Sequence, residues 1–390
     1  MKGDSTGSLR LLLAVQLSQR FRSGIISPIL ALFIRRQGMT VTQIGLLGTA
    51  SMLGWLIFEP LSGVVADRVR KKYMVIFAIV ASSVIYFLYP LASNVWHFAA
   101  LAFAMSSVMA PYAISVKALA AELIPPSSRG RTYGRYLSAV SVGGILGPVL
   151  GGYLSGAVGY SVPFYIAAGV GVVGLAGVLL MRYDDRSDEV MALKENHAGG
   201  RLWTRAFITI LLIRMLYLVN LVFRSNFLPV YLNESPAIGA SEAEIGLYLG
   251  VLQVMSALSQ PFLGGVTDRL GSRAVIASSL GLAGLSYVGL TFVSGVFPLY
   301  LLGVAQGVFF AAADLSMMVH LMGVMHEGRT GMVMGLYSES ENVGGMIASP
   351  SLGLIYDGVG PSQSALSVAA VLFLNAALSA TLLKRPSEPG

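Results

Sequence analysis

Cysteine is absent from the 390 residues, which removes disulfides, thiolate nucleophiles and cysteine metal sites from consideration. Charge is scarce. Only 12% of residues are Asp, Glu, Lys or Arg, about half the share in a soluble domain. A water-soluble enzyme is excluded, because so little polar surface could not coat a chain of this length. The four histidines show no ligand spacing, and no phosphate-cradling glycine loop or hydrolase motif stands out. No cofactor or metal is expected, and energy for any work must come from a gradient. A cleavable leader is not expected either. The first apolar run begins after Arg10, is broken by Gln16, Gln19, Arg20 and Arg22, and carries no small-residue cleavage site.

What the chain has is apolar length. Hydrophobic residues make up 55% and the mean hydropathy is +0.72. Helix-length runs fall at 9–33, 42–66, 73–93, 97–123, 131–155 and 160–182, then at 206–231, 243–267, 273–294, 297–323, 332–356 and 362–383. These are far longer than the ~10-residue alternating segments of a membrane barrel, and each suffices for one helical crossing. The expected fold is an all-α membrane protein of twelve transmembrane helices in two six-helix bundles, residues 1–183 and 206–390. The mixed-charge stretch 184–205 between them reads as a cytoplasmic linker.

The net charge of +7 has a topological origin. Nineteen of the 26 basic residues lie at the two termini or in alternate loops, among them Arg68, Arg70, Lys71, Lys72, Arg129, Arg131 and Arg269. The opposite side has only Arg35 and Arg36. By the positive-inside rule both termini are cytoplasmic. Nucleic acid is therefore not expected as a partner; the bilayer is. The reading is of an integral protein of a prokaryotic cytoplasmic membrane, acting as a monomer.

The halves repeat. Pro60, Gly63, Asp67 and Arg68 recur as Pro261, Gly264, Asp268 and Arg269, at an offset of 201 (268 − 67). The same offset relates Gly134, Tyr136, Gly143 and Gly144 to Gly335, Tyr337, Gly344 and Gly345, and Pro28 to Pro229. An offset of 202 (224 − 22) aligns Phe21-Arg22-Ser23 with Phe223-Arg224-Ser225. Two parallel repeats with a polar path at their interface is how many carriers are built.

On these residues the chain resembles the major facilitator superfamily along essentially its whole length. Gly63-x-x-x-Asp67-Arg68-x-Arg70-Lys71-Lys72 is similar to that family's motif between helices two and three, and Gly264-x-x-x-Asp268-Arg269-x-Gly271-Ser272-Arg273 is its second copy. Arg70 replaces a glycine and Ser272 a basic residue. The resemblance implies that Gly63, Asp67 and Arg68, with Gly264, Asp268 and Arg269, close a cytoplasmic gate against helices eleven and five. Physically, the glycines permit close helix contact and the aspartates suit a helix N-terminus. Gly143-x-x-x-Gly147-Pro148-x-x-Gly151-Gly152 resembles the antiporter signature of the drug and proton exchangers, which implies export and gives Gly147 and Pro148 a gating role. The family's fourth-helix motif with a buried arginine has no match near Ala100 to Ala110.

Nine ionisable residues lie inside apolar runs: Arg20, Arg22, Glu59, Lys117, Arg214, Arg224, Asp314, Glu339 and Glu341. At ~2.5–3.5 kcal/mol each, exposing all of them to lipid would cost about 20–30 kcal/mol, more than the roughly 5–15 kcal/mol that stabilises a protein. They must face protein or water. Glu59, Lys117 and Arg214 are near enough to helix ends to meet solvent. The repeat favours Arg22 and Arg224 as a guanidinium pair for an acidic solute, with Tyr337 as an amphipathic neighbour. Arg20 lies about 200° around the helix from Arg22 and would point elsewhere. Asp314 and Glu339 are the leading candidates for proton coupling; Glu341, about 200° from Glu339, is a weaker one.

The resulting expectation is a secondary active transporter. It moves a small amphipathic or anionic organic solute by alternating access, as proton-coupled export. A proton-coupled organic-anion importer, or a non-transporting sensor on the same fold, are the alternatives.

Overall fold

In the computed structural model, residues 2–66, 69–123, 129–181, 203–324 and 330–383 are described. The expected linker 184–205 lies almost wholly outside them, as do Asp67 and Arg68. The chain is an all-α membrane protein of twelve crossings. Lys2–Ile26 (α1) and Leu30–Arg36 (α2) form the first crossing. It is followed by α3 (Val41–Ala66), α4 (Lys71–Leu88), α5 (Val95–Leu123), α6 (Arg129–Val158) and α7 (Ser161–Leu180). The seventh crossing is composite: α8 (Arg205–Val222), a π turn over Phe223–Phe227, and α9 (Leu228–Glu234). Five more complete the chain: α10 (Glu242–Leu270), α11 (Ser272–Leu290), α12 (Val296–Val324), α13 (Thr330–Gly358) and α14 (Pro361–Leu382). Ten of these segments are, among the described residues, long and apolar enough to cross a membrane.

Contacts divide the chain into two units. The first holds Met1–Met39, Ala50–Lys194 and Ser241–Gly250; the second holds Thr40–Thr49, Glu195–Ala240 and Val251–Gly390. The opening turns of α3 and α10 are thus exchanged relative to a simple division at the linker. Within the first unit, α1 packs on α6 and α7, and α4 on α5 and α7. Within the second, α8 packs on α13 and α14, and α11 on α12 and α14. The same pattern of neighbours is made twice, once by each repeat.

Helix starts repeat as well. Thr40 and Gln43 form a reciprocal capping box before α3, with Thr40 N–H donating to Gln43 Oε1 at 2.9 Å and Gln43 N–H to Thr40 Oγ1 at 3.1 Å. Ser241 and Glu244 do the same before α10, at 2.8 Å and 3.4 Å. Each box satisfies donors that a helix start leaves open. In the second unit the first turn of α3 has a further cap. Asp357, at the end of α13, accepts from Val41 N–H at 3.3 Å and Thr42 N–H at 2.6 Å. Burial alone would raise its pKa, but the Thr42 and Val41 amides and the Thr42 and Thr40 hydroxyls together hold the carboxyl below its ordinary range.

The antiporter-like glycines of α6 act as packing surfaces. A methyl on Gly147 would collide with the backbone of Gly24 in α1, and one on Gly151 with the Ile25 carbonyl. Pro148 lies in the same crossing, its ring beside Gly24. Close approach of two backbones is what small residues permit in a bilayer.

Candidate functional site

Each half buries a polar group on its first helix, and the two halves do so differently. Arg22 is only 1% exposed. Its Nε donates to the Ala167 carbonyl at 2.7 Å, Nη1 to Gln19 Oε1 at 3.0 Å, and Nη2 to Ser82 at 3.2 Å and Ser83 at 2.8 Å. Its Cζ lies 5.1 Å from the centroid of the Tyr86 ring. The guanidinium is therefore closed inside the first unit by α4 and α7. Arg20, set aside in favour of Arg22 by the sequence repeat, is the exposed one.

In the second unit the place beside the corresponding tyrosine is taken by Phe223. Its ring meets that of Tyr287 edge-on at 5.5 Å, while Tyr287 donates to Asn220 Oδ1 at 2.6 Å. Tyr86 and Tyr287 are 201 apart (287 − 86), and so are Gln19 and Asn220, and Arg22 and Phe223. The sequence match of Arg22 with Arg224 is thus out of structural register by one residue. One residue is about 100° of helix rotation, enough to give the two arginines different surroundings. Arg224 is half-buried, and its Cζ lies 5.2 Å from the Phe310 centroid.

The π turn carrying Arg224 has a local cause. Leu228 N–H bonds back to the Phe223 carbonyl, five residues away, and the next residue, Pro229, has no N–H to continue an α ladder. Such turns re-aim side chains and recur at functional sites.

Three helices of the second unit bring charges together. Arg214 of α8 lies between Asp314 of α12 and Glu341 of α13: Nη1 to Asp314 Oδ1 is 2.5 Å, and Nε to Glu341 Oε1 is 2.7 Å. The guanidinium side chain is 13% exposed, that of Asp314 48%. Arg214 therefore does not snorkel to a helix end. Aromatic rings flank it, with the centroids of Tyr217 at 5.4 Å and Tyr337 at 5.2 Å from its Cζ. Tyr217 Oη lies 3.4 Å from both Asp314 Oδ2 and the Phe310 carbonyl. Tyr337 is buried in this cluster, beside Arg214.

The acid that joins Asp314 is Glu341, not the preferred Glu339. Glu339 accepts from Asn342 at 3.3 Å instead. The two glutamates lie on different sides of α13, and Arg214 selects between them by reach. Nothing in a single sequence shows which helix faces α8, so this choice was not legible. Arg214 itself had a signal: an arginine, a tyrosine three residues on and two acids in later runs.

Of the gate residues, Asp268 and Arg269 are exposed. A methyl at Gly63 or Gly264 would meet no described atom within 4 Å, so the expected close helix contact is not made there among the described residues. No group of three His, Asp or Glu suited to a metal occurs among the described residues.

The sequence profile of the Major Facilitator Superfamily matches residues 12–235 and again 213–390. The chain is similar to multidrug resistance protein MdtG of Klebsiella pneumoniae, with 24% identity over 379 residues covering 93% of this chain and 90% of that one. It is also similar to quinolone resistance protein NorA of Staphylococcus aureus, with 23% identity over 340 residues and 86% of each chain covered. Among solved structures, a bacterial homologue of the human lysosomal transporter Spinster superposes with a TM-score of 0.81 at 15% identity, covering 97% of each chain. The nucleoside transporter NupG gives 0.77 at 14% identity, covering 97% of this chain and 100% of that one. At these identities the superpositions speak for the fold.

Proposed function

The chain belongs to the major facilitator superfamily, as a transporter and not an enzyme, and from that premise we propose that it exports a small amphipathic organic solute in exchange for protons. One observation carries the reading: a single guanidinium, Arg214, shared by two carboxylates, Asp314 and Glu341. With both acids ionised the trio holds one surplus negative charge in a segment where charge is costly. A proton neutralises that surplus, and so does a cationic group on a solute. Competition for one place is what exchange in opposite directions requires. The half-exposed Asp314 is the acid that both can reach.

Supporting export are the glycine and proline series of α6, Gly147 and Pro148 included, and relatives named for multidrug and quinolone resistance. The halves alternate access, with Gly63, Asp67 and Arg68 and their copies Gly264, Asp268 and Arg269 as the cytoplasmic gate. Both termini face the cytoplasm, and the protein acts as a monomer in a prokaryotic cytoplasmic membrane.

The test is efflux from proteoliposomes loaded with amphipathic cationic dyes. Acidifying the outside should accelerate efflux from wild-type vesicles. Asp314→Asn should abolish the acceleration and weaken binding of the cationic dye, leaving no pH-dependent efflux. Proton-driven efflux that survives in both Asp314→Asn and Glu341→Gln would refute the shared-guanidinium mechanism, and acid outside that drives uptake instead would reverse the direction.

A further inference from the structure

Glu242, in the first turn of α10, is held by two side chains that the proton mechanism leaves unused. Arg36 Nη2, from the last turn of α2, lies 2.8 Å from its Oε1. Tyr160, just before α7, donates to the same oxygen at 2.5 Å, and the Arg36 Cζ stands 4.8 Å from the Tyr160 ring centroid. Burial and the bond to Glu242 push the Tyr160 phenol up, so it remains a donor. The Glu242 side chain is 13% exposed and that of Arg36 61%. On the orientation proposed above, this is the exterior side.

Helix α10 belongs to both units, since its start lies within Ser241–Gly250 of the first and its remainder in the second. Movement of one unit against the other therefore works on this start. It is seated by backbone contact: a methyl on Gly152 of α6 would strike the Glu242 carbonyl, and one on Gly246 the Pro148 carbonyl. The start of α3 is seated in the same way within the second unit, where a methyl on Gly353 would strike Thr42 and one on Gly45 the Ser349 carbonyl. At the far ends of the same two helices, Gly63 and Gly264 face no described atom within 4 Å. Each helix is a strap, tight at its exterior end and loose at the other.

What fastens the two straps differs. At the repeat offset of 201 (242 − 41), Glu242 answers to Val41, Gly156 to Asp357, Arg36 to Ala237 and Tyr160 to Pro361. In the second unit Asp357 supplies the carboxylate, and it caps the amides of Val41 and Thr42. In the first, Gly156 has none to offer, and the strap itself brings a carboxylate to a guanidinium and a phenol. A cap on backbone amides is thus replaced by an ion pair open to water, which salt weakens.

Resting on the transport reading above, we propose that Glu242, Arg36 and Tyr160 form a charge-operated latch on the exterior gate. The latch holds the start of α10 against α2 and α6 while the exterior is shut, and parts when that side opens to release solute.

The chain has no cysteine, so a single introduced one reports on the strap. Ile245, fully buried near the start of α10, is changed to cysteine in the full chain in right-side-out membrane vesicles. Its rate of labelling by a membrane-impermeant maleimide added outside measures how often the strap comes away. Glu242→Gln and Arg36→Gln should each speed labelling about three- to fivefold, as suits an ion pair half in water. The swapped pair, Arg36→Glu with Glu242→Arg, should bring the rate back towards the original. High salt should speed labelling of the Ile245→Cys chain and leave its Glu242→Gln version unchanged, and thermal unfolding separates an opened latch from a misfolded variant. Unchanged rates in both single variants, a swapped pair as fast as they are, labelling in inverted vesicles alone, or no labelling at all would overturn the proposal. Proton-driven dye efflux would then still uphold the transport reading. Faster labelling in the single variants, with no dye moved by a pH gradient, would uphold the latch and refute proton-driven transport.

Discussion

Arg22 and Phe223 hold equivalent positions in the two repeats: each covers a tyrosine, Tyr86 at 5.1 Å and Tyr287 at 5.5 Å, on the fourth and eleventh helices. One half fills the place with a hydrogen-bonded guanidinium and the other with an aromatic ring. The sequence pairing of two arginines is thereby replaced by a pairing of an arginine with a phenylalanine, and the roles of Arg22 and Arg224 separate.

Arg22 is expected to act on stability. Arg22→Ala leaves Ser82, Ser83, Gln19 and the Ala167 carbonyl without their partner. The loss should be about 2–4 kcal/mol, in the range for breaking a buried charged network. It is read as a lowered thermal transition in detergent, while the KM for solute in the folded fraction stays within about twofold. A large rise in KM without loss of stability would contradict this assignment.

The two glutamates of α13 provide a contrast. Glu341→Gln removes one of the two acids on Arg214 and should slow proton-driven efflux by about tenfold or more, one hydrogen-bonded charge being worth roughly 1.5–3 kcal/mol. Glu339→Gln keeps an acceptor for Asn342 and should retain most of the activity. The reverse order in vesicle assays would restore Glu339 as the coupling acid.

Gly147→Val tests the seam of α1 with α6. The added side chain meets the Gly24 backbone, which cannot swing aside as a flexible side chain would. Overpacking of this kind costs about 1–3 kcal/mol, and the measurable result is reduced yield of folded protein in membranes. Gly63→Ala, with no described atom near its added methyl, should express normally.

Asp357 gives a pH dependence with a definite sign. Its folded pKa lies below that of a free carboxylate, so its cap on Val41 and Thr42 contributes at neutral pH and is lost as pH falls through the depressed value. Asp357→Asn should lower the thermal transition slightly at pH 7, by the equivalent of about 0.5 kcal/mol after screening at this exposed position. The difference from wild type should shrink below about pH 4. A difference that widens in acid would exclude the cap.

Much of this architecture could be read from the chain. Twelve apolar runs, the basic loops and the 201-residue repeat carry the fold because bilayer thickness and hydrophobicity act locally along the sequence. The capping boxes at Thr40 and Ser241 stood at the same offset and would have marked the repeat further. The site was less legible, since it depends on rotation about helix axes. A slip of one residue separates Arg22 from the residue that takes its place in the second repeat, and a difference of two separates Glu341, which meets Arg214, from Glu339, which meets Asn342. Charge type was visible in the sequence; the direction each charge points depended on packing against other helices and on the π turn before Pro229.

On the proposed exchange, one guanidinium set against two carboxylates also sets an upper bound on performance. The trio would take a single compensating positive charge, so each cycle would carry one proton inward for each solute sent out. At zero membrane voltage, a difference of one pH unit then sustains a solute concentration ratio of no more than about ten. Steeper accumulation ratios are beyond a chamber with this charge balance.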